Sequence, residues 1–285
     1  MDLDRLAPLA GRTWTSEPLA HRRAEPVVRV RTADGREPVL DLVVRRVGPA
    51  RGLRLDGEGE ATVAAARLGV GPRVAAWQPQ DGLLAVEHVV GRHPTAADLR
   101  DPATLTRLAA ALRRLHRSGV RFGQDLDLFA EARAYPALAE DPLLARLEAA
   151  LAVRPEPAAP CHNDVVPGNI IDDGTRVWLV DFEYAGNGEP SAELAGLVIG
   201  AELTPADVPS VAAAYDGEPT RRRVARILLW RVVQLLLWSE WARAVASDSW
   251  AERLASARDA AVADPRLEEY VAEAARPDRR RPDGA

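Results

Sequence analysis

The stretch PCHNDVVPGNIIDDGTRVWLVDFEYAG, residues 160–186, sets three polar side chains in an otherwise apolar segment. Asn169 follows Asp164 by five residues, and Asp181 follows twelve residues later. The β-prone runs and the turn at residues 172–174 predict a strand, a tight Pro-Gly loop and then a β-hairpin. Because such a hairpin returns its second strand to the preceding loop, we expect the three side chains to converge.

These three side chains have the chemistry that phosphoryl transfer requires. Oxygen ligands from Asn169 and Asp181 suit Mg²⁺, a hard cation that keeps several waters and binds phosphate. Asp164 stands at the start of the loop, where a carboxylate can take the proton of an attacking hydroxyl. Asp and Asn are also common turn formers in such loops, but the combination at these spacings favours a phosphotransferase site.

Length and composition are those of an ordinary globular protein of about two domains. Of the 285 residues, 47% are hydrophobic and 28% are charged, and the net charge of -5 argues against a nucleic-acid partner. No apolar run reaches the roughly 18 residues of a membrane span, and the first residues lack the pattern of a signal peptide. A single cysteine, Cys161, excludes an internal disulfide. We therefore expect a cytoplasmic protein without a membrane partner.

The pattern along the chain predicts two lobes and a tail. Residues 1–90 alternate short β-prone runs with turn signals, which predicts a small β-rich lobe. Residues 91–275 have helical spacing of Leu and Ala, which predicts a larger helical lobe that includes the segment 160–183. Residues 276–285 are rich in Pro and Arg and predict a disordered tail.

Local signals place several elements within these lobes. In the small lobe we expect two strands joined by a turn at Gly35, a helix that ends before Pro72, and a strand that ends at Gly91. The segment ahead of the first clear strand, residues 16–27, contains no Gly and is expected to be a loop. In the helical lobe, residues 95–119 predict one helix, and a long apolar helix begins near residue 220.

The pattern H-x-D-x-x-x-x-N from His162, followed by an apolar strand and D-F-E-Y, resembles the aminoglycoside phosphotransferase and choline kinase superfamily. The bacterial choline and thiamine kinase-like members are the most similar in pattern, and the resemblance runs from about residue 27 to residue 245. It implies an α+β, two-lobed protein-kinase-like fold. The small antiparallel β lobe would bind nucleotide, with residues 16–27 as the loop that covers the phosphates, and the larger helical lobe would hold the catalytic loop and the substrate pocket. The resemblance also implies Asp164 as catalytic base, Asn169 and Asp181 as Mg²⁺ ligands, and His162 as a support of the loop.

The resemblance extends past this motif. The family usually has Asp-Leu-Ala where this chain has Glu193-Leu194-Ala195. This departure is conservative, and we expect Glu193 to support the catalytic loop as His162 does.

The small lobe lacks the Lys that kinase-type lobes use to hold the α- and β-phosphates, since the chain contains no Lys. Relatives of choline kinase often have Arg where this chain has Asp41, and Arg45 lies four residues on, on the same strand face. We therefore expect Arg45 to hold the phosphates, paired with Glu58, whose spacing is similar to that of the family's helix Glu. The residues expected at the adenine-binding hinge are Glu87, His88 and Val89.

Two indoles indicate the phosphate acceptor. Trp238 and Trp241 are three residues apart on the long apolar helix and share a face, where they can bind a quaternary ammonium group by cation–π contact. The resemblance to choline kinases implies that Tyr184 of D-F-E-Y joins them, and Glu202, expected on the helix after Glu193, is a candidate carboxylate for the cation. The alternative is that the paired Trp residues are core residues of an apolar helix.

The sequence thus predicts an ATP- and Mg²⁺-dependent O-phosphotransferase for a small-molecule hydroxyl, with choline or a similar amino alcohol as the favoured acceptor. An aminoglycoside or other antibiotic phosphotransferase is the alternative within the enzyme class. A catalytically weak, pseudokinase-like binding protein is the alternative outside it, because the Lys and a Gly-rich loop are missing. Neither nucleic acid nor membrane is an expected partner, and the oligomeric state is left open.

Overall fold

The computed structural model describes residues 3–20, 27–47, 55–245 and 248–276. The predicted tail, residues 276–285, lies outside this part of the chain except for Arg276. Among the described residues, no helix is both long and apolar enough to cross a bilayer.

Five antiparallel strands in the first part of the chain form one sheet. They are β1 (Trp14–Ala20), β2 (Val27–Thr32), β3 (Asp41–Arg46), β4 (Val74–Gln78) and β5 (Leu83–Glu87), and their order across the sheet is β1-β2-β3-β5-β4. On one face, Leu6 and Leu9 from the N-terminal turn pack against Val30, Val44 and Leu83 in a fully buried core. The predicted antiparallel sheet is confirmed.

One helix, α1 (Leu55–Arg67), lies between β3 and β4 in the sequence. It stops where Gly69 takes a φ of +67°, a left-handed conformation that Gly adopts without steric cost. Pro72 follows and cannot continue the helix. The predicted end of this helix is therefore confirmed.

Two predictions about the small sheet are wrong. Residues 16–20, expected in a phosphate loop, belong to β1, an edge strand that tolerates Pro18 because one of its sides needs no ladder hydrogen bond; residues 21–26 of that loop lie outside the described chain. The connection from β2 to β3 is also longer than a turn at Gly35 and spans residues 33–40. Its conformation is held by Arg12, whose guanidinium donates to both carboxylate oxygens of Asp34 at 2.6 and 2.8 Å.

Two further boundaries differ from the predictions. The strand expected to reach Gly91 ends at Glu87. The single helix expected over residues 95–119 is two helices, α2 (Ala96–Arg100) and α3 (Pro102–His116). Asp101 separates them, because its carboxylate caps α3 by accepting from the Thr104 amide at 2.9 Å and Pro102 takes the first helical position.

The segment 160–183 folds as the sequence predicts. Its strands are β6 (Ala159–Cys161), β7 (Ile170–Asp172) and β8 (Val177–Leu179), and β9 (Gly186–Gly188) follows and pairs with β6. β7 and β8 form an antiparallel hairpin in register from Ile170 and Leu179 to Asp172 and Val177. Gly174, at the turn, has a φ of +89°.

The chain divides into two compact units. The first comprises Met1–Asp125 and Ala159–Asn187 and therefore contains the sheet, α1 to α3 and the hairpin. The second comprises Leu126–Ala158 and Gly188–Ala285. The lobe boundary expected at residue 90 divides the chain differently and stays a prediction.

The second unit is helical, and one long helix forms its core. Its helices are α4 (Leu128–Arg133), α5 (Pro142–Ala152), α6 (Pro190–Gly200), α7 (Val208–Asp216), α8 (Arg221–Val245), α9 (Asp248–Val262) and α10 (Leu267–Ala275). α8 packs against all the others, and its residues are buried on several sides, as the sequence predicts. Its buried Arg226 forms an ion pair with Glu189, which also accepts from the Trp230 indole at 3.0 Å.

Candidate active site

The loop between β6 and β7 brings Asp164 and Asn169 into direct contact. The Asn169 amide nitrogen donates to the Asp164 carboxylate at 2.7 Å and to its backbone carbonyl at 2.9 Å. A short 3₁₀ turn over Pro167–Asn169 allows this approach, because it brings residue 169 back over the start of the loop. Asn169 is buried and Asp164 is half-buried, so a carboxylate oxygen is held in place at the edge of solvent.

His162 joins this loop to the hairpin through both ring nitrogens. Nε2 lies 2.9 Å from the carbonyl oxygen of Val180, and Nδ1 accepts from the Asp164 amide at 3.2 Å. A carbonyl can only accept and an amide can only donate, so the proton must be on Nε2 and the ring is neutral in this arrangement. The ring is fully buried and packs on Phe182 at a centroid distance of 4.5 Å. Its geometry agrees with the supporting position expected for it.

Asp181 follows the last strand of the hairpin in an unusual conformation. The amide of Val180, the residue before it, donates to the Asn169 carbonyl at 3.0 Å, so Asn169 is paired across the hairpin with the residue that directly precedes Asp181. Asp181 has a φ of +68°, which few residues other than Gly adopt. Left-handed backbone at a non-Gly residue concentrates at functional sites, where the surrounding structure enforces it.

Asn163 is a site residue that the sequence analysis missed. It also has a left-handed backbone, with a φ of +64°, and its side-chain amide donates to the Tyr184 carbonyl at 3.1 Å. This hydrogen bond ties the loop to the segment after Asp181. The signal was present in the sequence, because Asn is among the few residues that tolerate this conformation.

Arg45 connects the sheet and α1 to Asp181. Its guanidinium forms an ion pair with Glu58, which is buried, and its Nη1 lies 3.0 Å from Oδ1 of Asp181. That oxygen is shielded from solvent and accepts no hydrogen bond among the described residues, so a charged neighbour rather than a directional donor compensates it. Arg45 and Glu58 were both predicted as site residues, and the structure brings them together in this ion pair.

Asp41, which stands four residues before Arg45, forms an ion pair within the small sheet. Its carboxylate accepts two hydrogen bonds from Arg29, at 2.8 and 2.7 Å, and this pairing lowers the pKa of Asp41 below its usual range. The position where relatives have a basic residue is therefore occupied in this chain by an acid with its own partner on the neighbouring strand β2.

The hinge residues are partly engaged in the small sheet. The Glu87 amide donates to the Arg73 carbonyl at 2.8 Å, and the Glu87 carboxylate forms an ion pair with the Arg73 side chain. The His88 amide donates to the Asp41 carbonyl at 2.9 Å. Val89 follows directly after these two engaged amides.

A second anchor of the hairpin was not predicted. Arg107 on α3 donates to both carboxylate oxygens of Asp172, at 3.0 and 2.6 Å, and this pairing lowers the pKa of the buried Asp172. The backbone of Arg92 pairs with that of Asp172 in both directions, at 3.0 and 2.9 Å. These contacts join residues at least 65 positions apart, and no local pattern in the sequence reveals them.

The residues expected to bind the acceptor are distributed over both units. Tyr184 belongs to the first unit, and Glu202, Trp238 and Trp241 belong to the second. Trp241 packs edge-on against Trp250 at a centroid distance of 5.4 Å. Glu193, which was predicted to support the catalytic loop and not to bind the acceptor, belongs to the second unit and is buried in the first turn of α6.

Glu202 is not on a helix, contrary to the prediction. α6 ends at Gly200, and Glu202 follows with a left-handed φ of +54°. Its side chain is exposed and lies 3.7 Å from Arg253 on α9. An exposed carboxylate with a cationic neighbour is a weaker candidate for holding an organic cation than the sequence suggested.

The donor set at the hairpin fits a hard divalent cation. Asp181 supplies a buried carboxylate oxygen without a hydrogen bond from the described residues. The Asn169 amide nitrogen is engaged by Asp164, which leaves the amide oxygen as the ligand atom. Carboxylate and amide oxygens are the ligands that Mg²⁺ and Ca²⁺ prefer.

Two curated relatives share parts of the sequence. LicA from Haemophilus influenzae strain KW20 Rd is 26% identical over 165 residues, which cover 51% of this chain and 62% of LicA. The thiamine kinase of Escherichia coli O9:H4 strain HS is 33% identical over 99 residues, which cover 35% of this chain and 33% of the kinase. The chain therefore spans about three fifths and one third of these two relatives.

Solved structures match the fold over nearly the whole chain. A choline/ethanolamine kinase family protein from Mesorhizobium loti superposes with a TM-score of 0.81 at 24% identity, covering 96% of both chains. LicA in complex with AMP superposes with a TM-score of 0.63 at 18% identity, covering 87% of this chain and 94% of LicA. At these identities the likeness establishes the fold, and the predicted protein-kinase-like α+β fold is confirmed.

The sequence also matches a family as a whole. The match is to the phosphotransferase enzyme family, abbreviated APH, and extends over residues 15–227, well over half of the chain. It includes the loop of Asp164 and Asn169, the hairpin, Asp181 and the pair formed by Arg45 and Glu58. The chain belongs to the phosphotransferase enzyme family.

Proposed function

We propose that this chain is a small-molecule kinase that transfers the γ-phosphoryl group of ATP to the hydroxyl of a small acceptor. The observation that carries the proposal is the contact of Asp164 with Asn169, beside an Asp181 in the left-handed conformation. Phosphoryl transfer depends on positioning and electrostatics more than on covalent chemistry, and these residues supply both.

Asp164 is the proposed base. Its carboxylate accepts the proton of the acceptor hydroxyl as that oxygen forms its bond to the γ-phosphorus and the bond to the β-phosphate oxygen breaks. The Asn169 amide holds this carboxylate at 2.7 Å, and His162 holds the backbone of the same residue at 3.2 Å. A base held from two sides needs little reorganisation when the proton moves.

Asn169 and Asp181 are the proposed Mg²⁺ ligands. The cation, when bound, supplies positive charge to the transferring phosphates. The pairing of Asp181 with Arg45 supports this proposal, because it indicates that the carboxylate stands where a cation is favourable. A kinase-type small lobe needs a charge for the phosphates as well, and Arg45, oriented by Glu58, is the proposed source.

The hydrogen bonds of the small sheet indicate which of the three hinge residues donates its backbone amide to the nucleobase. The amides of Glu87 and His88 donate to the Arg73 and Asp41 carbonyls. We therefore assign the Val89 amide as the donor to the nucleobase. The solved structure of LicA in complex with AMP supports nucleotide binding in this fold.

Choline or a similar amino alcohol is the proposed acceptor. The support comes from Trp238 and Trp241, which lie three residues apart on α8 and therefore share a helix face. The choline/ethanolamine kinase family protein from Mesorhizobium loti, named above, also supports an amino alcohol over an aminoglycoside. The ion pair of Arg45 with Glu58 weighs against a non-catalytic binding protein, because it retains the basic–acidic pair of an active small lobe.

The test is the release of ADP from Mg-ATP by the purified chain, with choline, ethanolamine, thiamine and kanamycin as separate acceptors. We expect release with at least one amino alcohol above the rate without acceptor. Phosphorylation of kanamycin in preference to the amino alcohols would move the assignment to the antibiotic enzymes. The absence of turnover with all four, in a chain that still binds Mg-ATP, would favour the pseudokinase.

A further inference from the structure

Gly59 on α1 and Trp77 on β4 approach so closely that no side chain fits at residue 59. A Cβ atom added to Gly59 would lie 2.0, 2.3 and 2.5 Å from Cε2, Cζ2 and Cδ2 of the Trp77 indole. Distances under 3.0 Å do not occur for real Cβ contacts. The indole therefore lies directly on the helix backbone, at a place that Gly alone leaves open.

This contact adjoins the residue that pairs with Arg45. Glu58 precedes Gly59 on α1 and is buried, and its carboxylate forms the ion pair with Arg45. Arg45 in turn lies 3.0 Å from Asp181. Gly59, which Trp77 contacts, thus directly follows Glu58 on the helix. Glu58 pairs with Arg45, and Arg45 contacts the proposed metal ligand Asp181.

The register of the sheet puts both contacts in one row. Trp77 on β4 and Arg45 on β3 are each paired with Leu84 of β5, which lies between them. Residues paired directly across strands project from the same face of a sheet. Trp77, Leu84 and Arg45 therefore form a row on the face that α1 packs against, while Leu83 and Ala85 contribute to the core on the opposite face.

The helix itself provides little resistance to movement at this point. Gly57 and Gly59 flank Glu58, and each Gly in a helix interior is about 1 kcal/mol less favourable than Ala. Around Gly57 an added Cβ would meet nothing within 4 Å. A packing reason for Gly therefore exists at residue 59 and is absent at residue 57 among the described residues.

We propose that Trp77 is a positioning residue for the phosphate clamp: its indole, seated on Gly59, fixes α1 so that Glu58 holds Arg45 towards Asp181. The inference rests on the proposed function for its consequence in nucleotide binding, and on the geometry alone for its consequence in the Glu58–Arg45 ion pair. In this role Trp77 acts on the ion pair through the position of the helix.

The experiment compares Gly59→Ala with the matched control Gly57→Ala in the full chain, by calorimetric titration with Mg-ATP. Both changes raise helix propensity, but only Gly59→Ala adds a methyl group against the Trp77 indole. We expect the Kd for Mg-ATP to rise roughly tenfold in Gly59→Ala, the equivalent of one charge-assisted hydrogen bond, and to be unchanged in Gly57→Ala. Equal affinity in the two variants would overturn the inference.

A second measurement decides the inference without nucleotide. In urea unfolding, Glu58→Gln should shift the equilibrium roughly tenfold towards the unfolded chain in the wild-type background, since the ion pair of a buried carboxylate is lost. In the Gly59→Ala background the same change should have little effect, because the ion pair is already displaced. Additive effects would contradict the inference. If the wild type binds no Mg-ATP, the proposed function fails, and this cycle still tests the inference.

A double variant tests whether removing the clash at residue 59 restores the affinity for Mg-ATP. Gly59→Ala combined with Trp77→Leu replaces part of the indole volume by the new methyl group, and we expect the affinity for Mg-ATP to recover at least partly. If Gly59→Ala does not fold, Trp77→Leu alone addresses the same contact and should raise the Kd for Mg-ATP. Wild-type affinity in Trp77→Leu would overturn the inference.

Discussion

His162 determines the position of the proposed base without taking part in the chemistry. Its Nε2–H donates to Val180 and its Nδ1 accepts from the Asp164 amide, so the neutral ring joins the loop to the strand that leads to Asp181. A protonated ring would place a hydrogen between Nδ1 and an amide that is itself a donor. The neutral ring is therefore part of the folded arrangement of the loop.

Replacement of Asp164 tests the proposed base. Asp164→Asn retains the shape of the side chain and removes its ability to accept a proton. We expect the rate of ADP release with the best acceptor to fall by roughly 10²–10⁴-fold, as for general bases elsewhere. The Kd for Mg-ATP, measured by calorimetric titration, serves as the control and should change little. A rate within twofold of the wild type would remove Asp164 from this role.

Replacement of Asp181 tests the proposed metal ligand. Asp181→Asn is preferred to Ala, since Asn tolerates the left-handed φ of +68° that this position requires. The wild type should be stabilised by about 2.7 kcal/mol at a Mg-ATP concentration of 100 times Kd. We expect the variant to lose most of this stabilisation while its Tm without ligand stays close to that of the wild type.

The same residue predicts how Mg²⁺ and nucleotide depend on each other. Because Arg45 already compensates the Asp181 carboxylate at 3.0 Å, Mg²⁺ without nucleotide should shift Tm little. Mg-ATP brings phosphates that Arg45 can bind instead, and should shift it strongly. A large shift with Mg²⁺ alone would show that Arg45 does not compete for this carboxylate.

Residue types and spacings predicted Asp164, Asn169 and Asp181 as site residues, and the resemblance to the family added Arg45 and Glu58. The structure connects these five residues through direct contacts and the backbone pairing of the hairpin. The left-handed backbone of Asn163 was not predicted, because Asn occurs in many loops without it. Nor was the double contact of Arg45 with Glu58 and Asp181, which depends on how the helix, the sheet and the hairpin pack together.

At the scale of elements, side-chain hydrogen bonds from α3 hold the hairpin β7–β8 in place. Asp172 is buried at the end of β7, and its two hydrogen bonds to Arg107 compensate its charge. Gly91 lies against this strand, where an added Cβ would be 2.6 Å from Ile171 and 2.8 Å from the Asp172 carbonyl. The sequence predicted the hairpin from its turn, but not these supports, since they come from distant parts of the chain.

The Arg107–Asp172 pair makes the stability of the hairpin depend on pH. The pKa of Asp172 is lowered in the folded state, so its contribution is complete above the unfolded pKa of about 4 and is lost as the pH falls through the folded pKa. Asp172→Asn should therefore lower the free energy of unfolding by about 1–3 kcal/mol at pH 7. The difference from the wild type should decrease below about pH 4.

Urea unfolding of both proteins at pH 7, 5 and 3.5 measures this difference. Arg107→Lys is a useful companion, because it keeps the charge and removes the two-pronged geometry. A gap that stays constant from pH 7 to pH 3.5 would show that the carboxylate pairing is not what stabilises the hairpin.

At the scale of the whole molecule, the sequence predicted the fold because the chain keeps local and global signals in agreement. The sheet, α1, the hairpin and α8 each have the periodicity or turn chemistry of the structure they form. Prediction from the sequence fails where one local pattern is compatible with two different structures. Residues 16–20 contain Pro and polar side chains and resemble a loop, but an edge strand accepts the same composition.

The second unit shows the same limit in its core. Arg226 is buried on α8 and donates to the backbone carbonyls of Arg154 and Leu151, at 2.9 and 3.2 Å, in addition to its ion pair with Glu189. On sequence alone, an Arg in an apolar helix is assigned to the exposed face. The partners that make its burial possible come from α5, the segment after it and the residue before α6, so tertiary packing decides the outcome.

The identity of the acceptor is predicted from the pair Trp238 and Trp241. A quaternary ammonium group donates no strong hydrogen bond and is held by aromatic faces, at roughly 0.5–2 kcal/mol for each contact. Replacing both Trp residues by Leu should therefore weaken choline binding by about 1–3 kcal/mol and leave Mg-ATP binding nearly unchanged. Trp250→Leu is the matched control, because Trp250 packs against Trp241 from α9 and reports general loosening of that region.

Charge and shape are separated by a neutral competitor. The compound 3,3-dimethylbutanol has the shape of choline with carbon in place of the charged nitrogen, so an aromatic site that recognises a cation should bind it more weakly. The loss in the double Trp variant should then be large for choline and small for the neutral compound, because the cation–π contribution is absent from the latter. Equal binding of the two compounds by the wild type would mean that the site is apolar without selectivity for charge, and the assignment of an amino alcohol would fail.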